Sequence, residues 1–186
     1  VASNASLPKS VVRVLASDES DVVRRAVAIR SDLTQKVVND LSNDVDVWVR
    51  QKLARNPIVS LSILGKLSKD TQADVRRGVA RNPRCSVALL SELANDADYW
   101  VRAAVAYQRR TPKQMLESLA RDTSVDVLSG VANNANTPQR FLKKLASSTE
   151  PDVRRGVILN KSATRATLLP LLEDDYYLHR LMLVAN

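Results

Sequence analysis

Residues 74–96 read DVRRGVARNPRCSVALLSELAND. Val75 and Val79 lie four residues apart, and the leucines of the second half keep a similar spacing, which is typical of an apolar helix face and not of an alternating strand. Pro83 stands between the two patterns, and a proline disfavours helical backbone in the residue before it. The stretch therefore predicts a hairpin of two short helices, each roughly nine to eleven residues long.

This pattern recurs every 26 residues along the chain. A Val-Arg pair keeps the spacing at Val23-Arg24, Val49-Arg50, Val75-Arg76, Val101-Arg102 and Val153-Arg154. One leucine keeps it throughout, at Leu15, Leu41, Leu67, Leu93, Leu119, Leu145 and Leu171. A single hairpin cannot bury its own apolar face, so neighbouring hairpins must stack. We therefore predict an all-α protein, a right-handed α-solenoid (superhelix) of about seven two-helix repeats, whose shorter helix is either α or 3-10.

We predict one helical-repeat domain over residues 1–186. Its complete repeats are 21–46, 47–72, 73–98, 99–124, 125–150 and 151–176, with partial repeats at 1–20 and 177–186. No apolar run reaches the ~20 residues of a membrane span, so we expect no membrane contact. The single cysteine, Cys85, excludes a disulfide framework within this sequence and is compatible with a reducing, cytoplasmic location.

Glycine shares one repeat position three times, at Gly78, Gly130 and Gly156. Because glycine inside a helix costs about 1 kcal/mol relative to alanine, this recurrence indicates close approach of the next helix. Lys52 and Met182 occupy the same position in other repeats, and we expect looser contact there.

Three further patterns concern polar residues. The Val-Arg arginines either line a basic groove or pair with the periodic aspartates, and two columns of opposite charge favour pairing; these aspartates include Asp44, Asp70, Asp96 and Asp122. Periodic asparagines are predicted to end helices in the left-handed conformation and to bond between loops, at Asn4, Asn56, Asn82, Asn134, Asn160 and Asn186. Thr111-Pro112 and Thr137-Pro138 predict N-cap threonines, with Gln114 completing a capping box.

The phrase DVRRGVARNP (residues 74–83), followed by Leu90, Leu93-Ala94 and Asp96, resembles the bacterial leucine-rich repeat variant family, and Val101 to Asp122 is similar. The resemblance covers nearly the whole chain. It implies a solenoid of the armadillo and HEAT kind, in which α-helices alternate with 3-10 helices. The unit here is slightly longer, and the chain lacks the N-terminal cysteine cluster through which a family member binds an iron–sulfur centre. We therefore predict no cofactor.

The candidate partner-binding residues lie outside the paired columns. Arginines at two neighbouring positions form a predicted solvent-facing stripe, to which a loop arginine adds: Arg25, Arg77, Arg155, Arg55, Arg81 and Arg84. Three aromatic residues are possible interface anchors: Trp48, Trp100 and Tyr107. The commoner explanation of the stripe is a solvated face, and that of the tryptophans is cover for apolar surface between repeats.

Catalytic and metal chemistry have little basis in the sequence. His179 is the only histidine and replaces a periodic core valine, so we interpret it as a packing residue. Cys85 shares its position with Leu33 and Val59 and is interpreted as a small buried hydrophobe. We predict neither a catalytic site nor a metal site, and no enzyme.

The function that these features favour is a binding scaffold for an acidic or extended protein partner. The formal charge is +8, which also suits nucleic acid, so phosphate binding through the basic stripe is the alternative. The last residues include Leu181, Met182, Leu183 and Val184, which are apolar where a terminal repeat is normally polar. We expect further sequence or end-to-end self-association there, the latter with an elution volume on a sizing column that depends on concentration.

Overall fold

The computed structural model describes residues 7–185, so Asn4, Asn186 and the start of the first partial repeat lie outside the described residues. Two helices alternate within each repeat. The first helices are α1 Lys9–Leu15, α3 Gln35–Leu41, α5 Leu61–Leu67, α7 Val87–Leu93, α9 Lys113–Leu119, α11 Gln139–Ala146 and α13 Arg165–Leu168. The second helices are α2 Asp21–Ala28, α4 Val47–Arg55, α6 Ala73–Ala80, α8 Tyr99–Tyr107, α10 Val125–Asn133, α12 Pro151–Ile158 and α14 Tyr177–Ala185.

Both helix types are α-helical in the described residues, apart from the 3-10 segment Leu169–Glu173 that follows α13. No β-strand occurs between residues 7 and 185. Among the described residues, α4, α8, α10 and α14 have nine residues and fall within the predicted length, whereas the other α-helices have four to eight and are shorter than predicted. None of the helices in this part of the chain has the length and apolarity that a bilayer span requires.

Two compact units divide the chain, Val1–Leu89 and Leu90–Asn186. In the first unit, α4 packs against α2 and α6. In the second unit, α10 packs against α8 and α12, and α14 contacts α12. The second helices are thus the main packing partners within each unit, and their apolar sides supply buried valines such as Val49, Val75, Val127 and Val153. The single-domain organisation stays a prediction.

Close helix packing explains the glycine column. A Cβ atom built on Gly156 would lie 2.8 Å from the Cβ of Ala132 and 2.9 Å from the backbone oxygen of Ser129. A Cβ atom on Gly130 would lie 2.7 Å from the Cβ of Ala106. The predicted close approach is confirmed. Looser contact was expected where Lys52 and Met182 replace the glycine, and it is found. The contacts of α4 with α2 and of α14 with α12 are less extensive than those of α10 with α12.

Gly156→Ala is expected to lower the free energy of unfolding by about 1–3 kcal/mol, because the added methyl group overpacks against a backbone oxygen. Gly65→Ala is the matched control, since a Cβ atom at Gly65 in α5 would meet nothing within 4 Å. That substitution is expected to raise stability by about 0.5–1 kcal/mol through helix propensity. Urea unfolding of both variants measures the difference, and stabilisation by both would contradict the packing account.

The asparagine column connects repeats, but not in the predicted backbone conformation. Asn56 and Asn134 have φ values of −72° and −75° with extended ψ, and no non-glycine residue among those described has positive φ. Each buried side-chain amide instead donates to two carbonyl oxygens of the preceding repeat. Asn134 Nδ2 lies 2.7 Å from the oxygen of Ala106 and 2.9 Å from that of Gln108. The predicted bonding between loops is confirmed, and so is helix termination, because Asn56 and Asn134 are the C-cap residues of α4 and α10. Only the predicted left-handed conformation is wrong.

The N-cap predicted in each of the two Thr-Pro motifs is also one residue away from the observed one. Pro112 and Pro138 are the N-cap residues of α9 and α11 and make no side-chain capping bond. The hydroxyl groups of Thr111 and Thr137 are buried and donate over 2.6 Å to backbone oxygens at the end of the preceding helix. The N-cap prediction is therefore wrong, as is the capping box with Gln114. The repeat register explains the error. In earlier repeats the position equivalent to Pro112 and Pro138 is occupied by residues whose side chains do cap the helix: Thr34, Ser60 and Ser86.

Candidate functional site

Most arginines of the Val-Arg column form ion pairs within the fold. In four repeats the guanidinium group pairs with an aspartate twenty residues later, at Arg24–Asp44, Arg50–Asp70, Arg102–Asp122 and Arg154–Asp174, over 2.6–2.7 Å. The same arginine also donates to a backbone oxygen six residues earlier, as Arg50 does to Asp44 over 2.6 Å. The predicted pairing is confirmed for these four, which we call the arginine–aspartate ladder.

Three of the ladder aspartates, Asp70, Asp122 and Asp174, have lowered pKa values. Burial alone would raise the pKa of Asp70, but hydrogen bonds from Arg50 and the Gln72 amide together lower it. In Asp174, whose side chain is fully buried, the hydrogen bond from Arg154 is the main reason for a pKa well below the usual range. The ladder arginines are thus neutralised inside the fold and contribute little to an anion-binding surface.

Two arginines that the sequence placed outside the paired columns are paired as well. Arg25 Nε lies 3.0 Å from Asp46 Oδ1, and its guanidinium group also contacts Asp21. Arg77 Nη2 lies 2.6 Å from Asp74 Oδ1, although its Nε is buried without a hydrogen-bond partner. The interpretation of these two as unpaired surface cations is therefore wrong. Aspartate recurs at the Asp74 position, as Asp126 and Asp152, and at the Asp46 position, as Asp98, but uncharged residues interrupt both columns and obscured the pairing.

Two arginines near Arg77 in the first unit, Arg55 and Arg81, carry positive charge without an ion pair in the described residues. Arg55 is the last residue of α4, and Arg81 follows the end of α6. Arg55 Cγ lies 3.5 Å from the position of a Cβ atom on Gly78, so its side chain crosses towards α6. The pKa of Arg81 is lowered by desolvation and by the positive charges of Arg77 and Arg55. We call Arg55, Arg77 and Arg81 the arginine cluster.

Arg84 adds another exposed charge in the loop after α6. The first unit also exposes Trp48, 42% accessible and seven residues before Arg55 on α4, so the two side chains share one side of the helix. In the second unit Trp100 is 43% accessible and stacks on Tyr99 with ring centres 5.0 Å apart. Neither tryptophan is deeply buried, so both rings are accessible to a partner.

Tyr107 and Arg155 come together in the second unit, where both line a surface cavity. Burial is the main reason that the pKa of Tyr107 is raised, with Asp126 and Asp152 adding to the effect. Arg155 has no carboxylate within 4 Å in the part of the chain described. The structure thus assembles these two predicted residues with acidic neighbours that sequence reasoning had not singled out.

His179 and Cys85 were predicted to be packing residues. Both side chains are buried, and the prediction for Cys85 is confirmed. His179 also makes specific contacts. Its Nδ1 lies 3.1 Å from Asp174 Oδ2, and its ring packs edge-on against Tyr176. Among the described residues, no group of three or more His, Cys, Asp or Glu side chains is arranged to hold a metal ion.

Helix α14 exposes apolar side chains at the end of the second unit. Leu181 is 61% accessible and Val184 is 85% accessible. A cavity of about 560 Å³ lies beside them, lined by Tyr176, Leu178 and Met182 among others. The expected self-association through this helix stays a prediction.

Comparison with known proteins supports the fold. The family model described as "Leucine rich repeat variant" matches residues 73–98. A solved structure described as a leucine-rich repeat variant with a novel repetitive protein structural motif is similar over 96% of this chain and 71% of that chain, with 29% identity and a TM-score of 0.67. No curated protein matches the chain. The predicted resemblance and the all-helical fold of the solenoid class are thereby confirmed.

Proposed function

From the likeness of this chain to leucine-rich repeat variant proteins, we propose that it is a non-catalytic repeat scaffold that binds an acidic, extended segment of a protein partner. The arginine cluster carries this proposal. Arg55 and Arg81 have no carboxylate within 4 Å among the described residues, and they lie near Arg77 on adjacent, packed helices. Like charges held this close favour an anionic ligand that neutralises them.

The kind of anion follows from the surroundings of the cluster. Trp48 is exposed on the same side of α4 as Arg55, and tryptophan with arginine is the composition typical of protein interfaces. The unpaired arginines of the first unit are few, since the ladder neutralises Arg24 and Arg50. A carboxylate-rich protein segment therefore fits this surface better than a nucleic-acid duplex, which needs a longer row of cations.

The proposal includes a cytoplasmic location. A single buried cysteine, Cys85, is compatible with a reducing compartment. Detection of the native protein in a cytosolic fraction tests this part, and recovery only from an oxidising compartment would contradict it.

The double variant Arg55→Ala/Arg81→Ala is expected to weaken binding of a fluorescently labelled, glutamate-rich peptide at least about tenfold, because charge-assisted hydrogen bonds are lost. Fluorescence anisotropy measures the affinity at about 50 mM and 200 mM salt, beside a DNA duplex of similar length. Arg13→Ala/Arg121→Ala removes the same charge from other exposed positions and is the matched control.

Equal losses in the two double variants would mean that only net charge matters and would contradict the assigned site. Tight duplex binding that falls steeply with salt, without peptide binding, would replace the proposal with a nucleic-acid function. Binding of neither ligand would reject the arginine cluster as an anion site.

A further inference from the structure

A cavity in the second unit has features that the proposed function does not use. It lies on the exposed side of α8, α10 and α12 and has a volume of about 300 Å³, at the lower end of the range for small-ligand pockets. Ser129 lines it with a short side chain, at the repeat position that Arg155 occupies one repeat later. Gly156, another lining residue, adds no side chain. We call this space the Ser129 cavity.

Ser129 has a hydroxyl group whose hydrogen-bonding capacity is unused. The residue is 7% accessible, and its Oγ is buried without a hydrogen-bond partner in the described residues. Leaving a buried polar group unsatisfied destabilises a fold. Packing alone does not require a hydroxyl here, because Ala103 occupies the equivalent position in the preceding repeat and is also buried. An unsatisfied hydroxyl lining a cavity therefore points to a polar ligand.

Negative charge dominates around the cavity. Two carboxylates, Asp126 and Asp152, line it together with one guanidinium group, that of Arg155. None of the three has an oppositely charged partner within 4 Å in the described part of the chain. After burial, Asp126 and Asp152 are the next causes of the raised pKa of Tyr107, and the opposing influence of Arg155 is smaller. Two carboxylates against one guanidinium group give the lining a net negative charge, which favours a cation.

We propose that the Ser129 cavity binds the ammonium group of a lysine side chain. Such a group has three hydrogen-bond donors and no acceptor. The cavity lining offers acceptor oxygens on Ser129, Asn133 and Tyr107 beside the two carboxylates. The apolar stem of lysine would lie against Val125 and Leu159, which line the same space.

The lysine is part of a peptide and not a free amine, because the cavity continues into a second one. This neighbour has a volume of about 450 Å³ and shares Tyr107, Asn133 and Leu159 with the first. Arg109 and Lys161 make its lining basic. The two cavities therefore suit an extended segment that carries a lysine followed by an acidic residue, and they lie in a different unit from the arginine cluster.

Nuclear magnetic resonance with isotope-labelled protein tests the proposal. The probe is the capped tripeptide acetyl-Gly-Lys-Gly-amide, and the control ligand is the same peptide with its lysine Nε acetylated. The lysine peptide is expected to shift the signals of Ser129, Asn133 and Leu159 with saturation in the millimolar range, about 4 kcal/mol of binding free energy. The acetylated peptide is expected to bind at least about tenfold more weakly, because it has lost the charge.

Three variants locate the site. Asp126→Asn/Asp152→Asn is expected to weaken binding about tenfold or more, whereas Asp40→Asn, in an exposed part of α3, leaves it within about twofold. Ser129→Ala should weaken binding several-fold while unfolding stability stays equal or rises, which a merely structural serine would not do. Equal binding of the two peptides, no binding, or no effect of the carboxylate variants would overturn the proposal. None of these outcomes depends on whether the arginine cluster binds acidic peptides.

Discussion

Asn134→Ala is expected to lower the free energy of unfolding by about 3 kcal/mol. The buried amide of Asn134 donates to the backbone oxygens of Ala106 and Gln108, and its Oδ1 accepts from the Asn136 amide over 3.0 Å. Truncation leaves the Ala106 oxygen and the Asn136 amide without these partners, whereas the Gln108 oxygen keeps the hydrogen bond from the Thr111 amide. Each buried group left unsatisfied costs about 1–3 kcal/mol. Urea unfolding followed by circular dichroism measures the loss.

Two companion variants separate hydrogen bonding from volume. Asn134→Asp keeps the shape but replaces the donor with an oxygen that faces two carbonyl groups, so it should destabilise at least as much as alanine does. Asn95→Ala removes only an exposed bond to the Ser91 oxygen and is expected to change stability by less than about 0.5 kcal/mol. An Asn134→Ala protein as stable as the Asn95→Ala protein would contradict the role given to the asparagine column.

Asp174→Ala is expected to cost about 3–5 kcal/mol, the range for breaking a buried ion pair by removing one partner. The fully buried carboxylate accepts hydrogen bonds from Arg154, over 2.6 and 2.9 Å, and from the Tyr176 amide, and it contacts His179. Its removal strands a guanidinium group that is only 14% accessible. The neighbouring Asp175 is exposed, so Asp175→Ala is the matched control and should stay within about 0.5 kcal/mol of the wild type.

Acid should act through the same carboxylate. The folded state lowers the pKa of Asp174, mainly through Arg154, below the ordinary aspartate value of about 3.9. A lowered pKa means that the stabilisation is complete above the ordinary value and is lost as the pH falls through the folded one. Unfolding free energy should therefore drop below about pH 4, and the drop should be smaller in Asp174→Ala. An unchanged acid dependence in the variant would show that this carboxylate is not responsible.

Features that recur with the repeat were predictable from sequence. The Val-Arg and aspartate columns have the same period and opposite charge, and the structure joins Arg24 to Asp44 and Arg102 to Asp122. The glycine column likewise had one physical explanation, close helix approach, which the surroundings of Gly130 and Gly156 confirm. Periodicity succeeds here because each repeat meets its neighbour in the same way.

Features that occur in one repeat escaped the sequence analysis. Arg25 pairs with Asp46, but the next repeat has glutamine at both equivalent positions, Gln51 and Gln72, and these interruptions obscured the pair. The Ser129 cavity depends on side-chain sizes and charges contributed by three adjacent helices, which spacing along one helix does not show. The wrong N-cap prediction at Thr111 had another cause. A Thr-Pro pair is a common helix start, and it was given more weight than the repeat register, in which Ser60 and Ser86 correspond to Pro112.

We infer that repeat position divides the arginines into those that hold the fold and those that meet a partner. Arg50 and Arg55 lie five residues apart on α4, and only Arg50 belongs to the ladder. The most direct test is the affinity of the glutamate-rich peptide for Arg50→Ala and Arg55→Ala, measured under conditions where both are folded. The account predicts a several-fold loss for Arg55→Ala and a change within about twofold for Arg50→Ala. Equal losses, or a larger loss for Arg50→Ala, would contradict it.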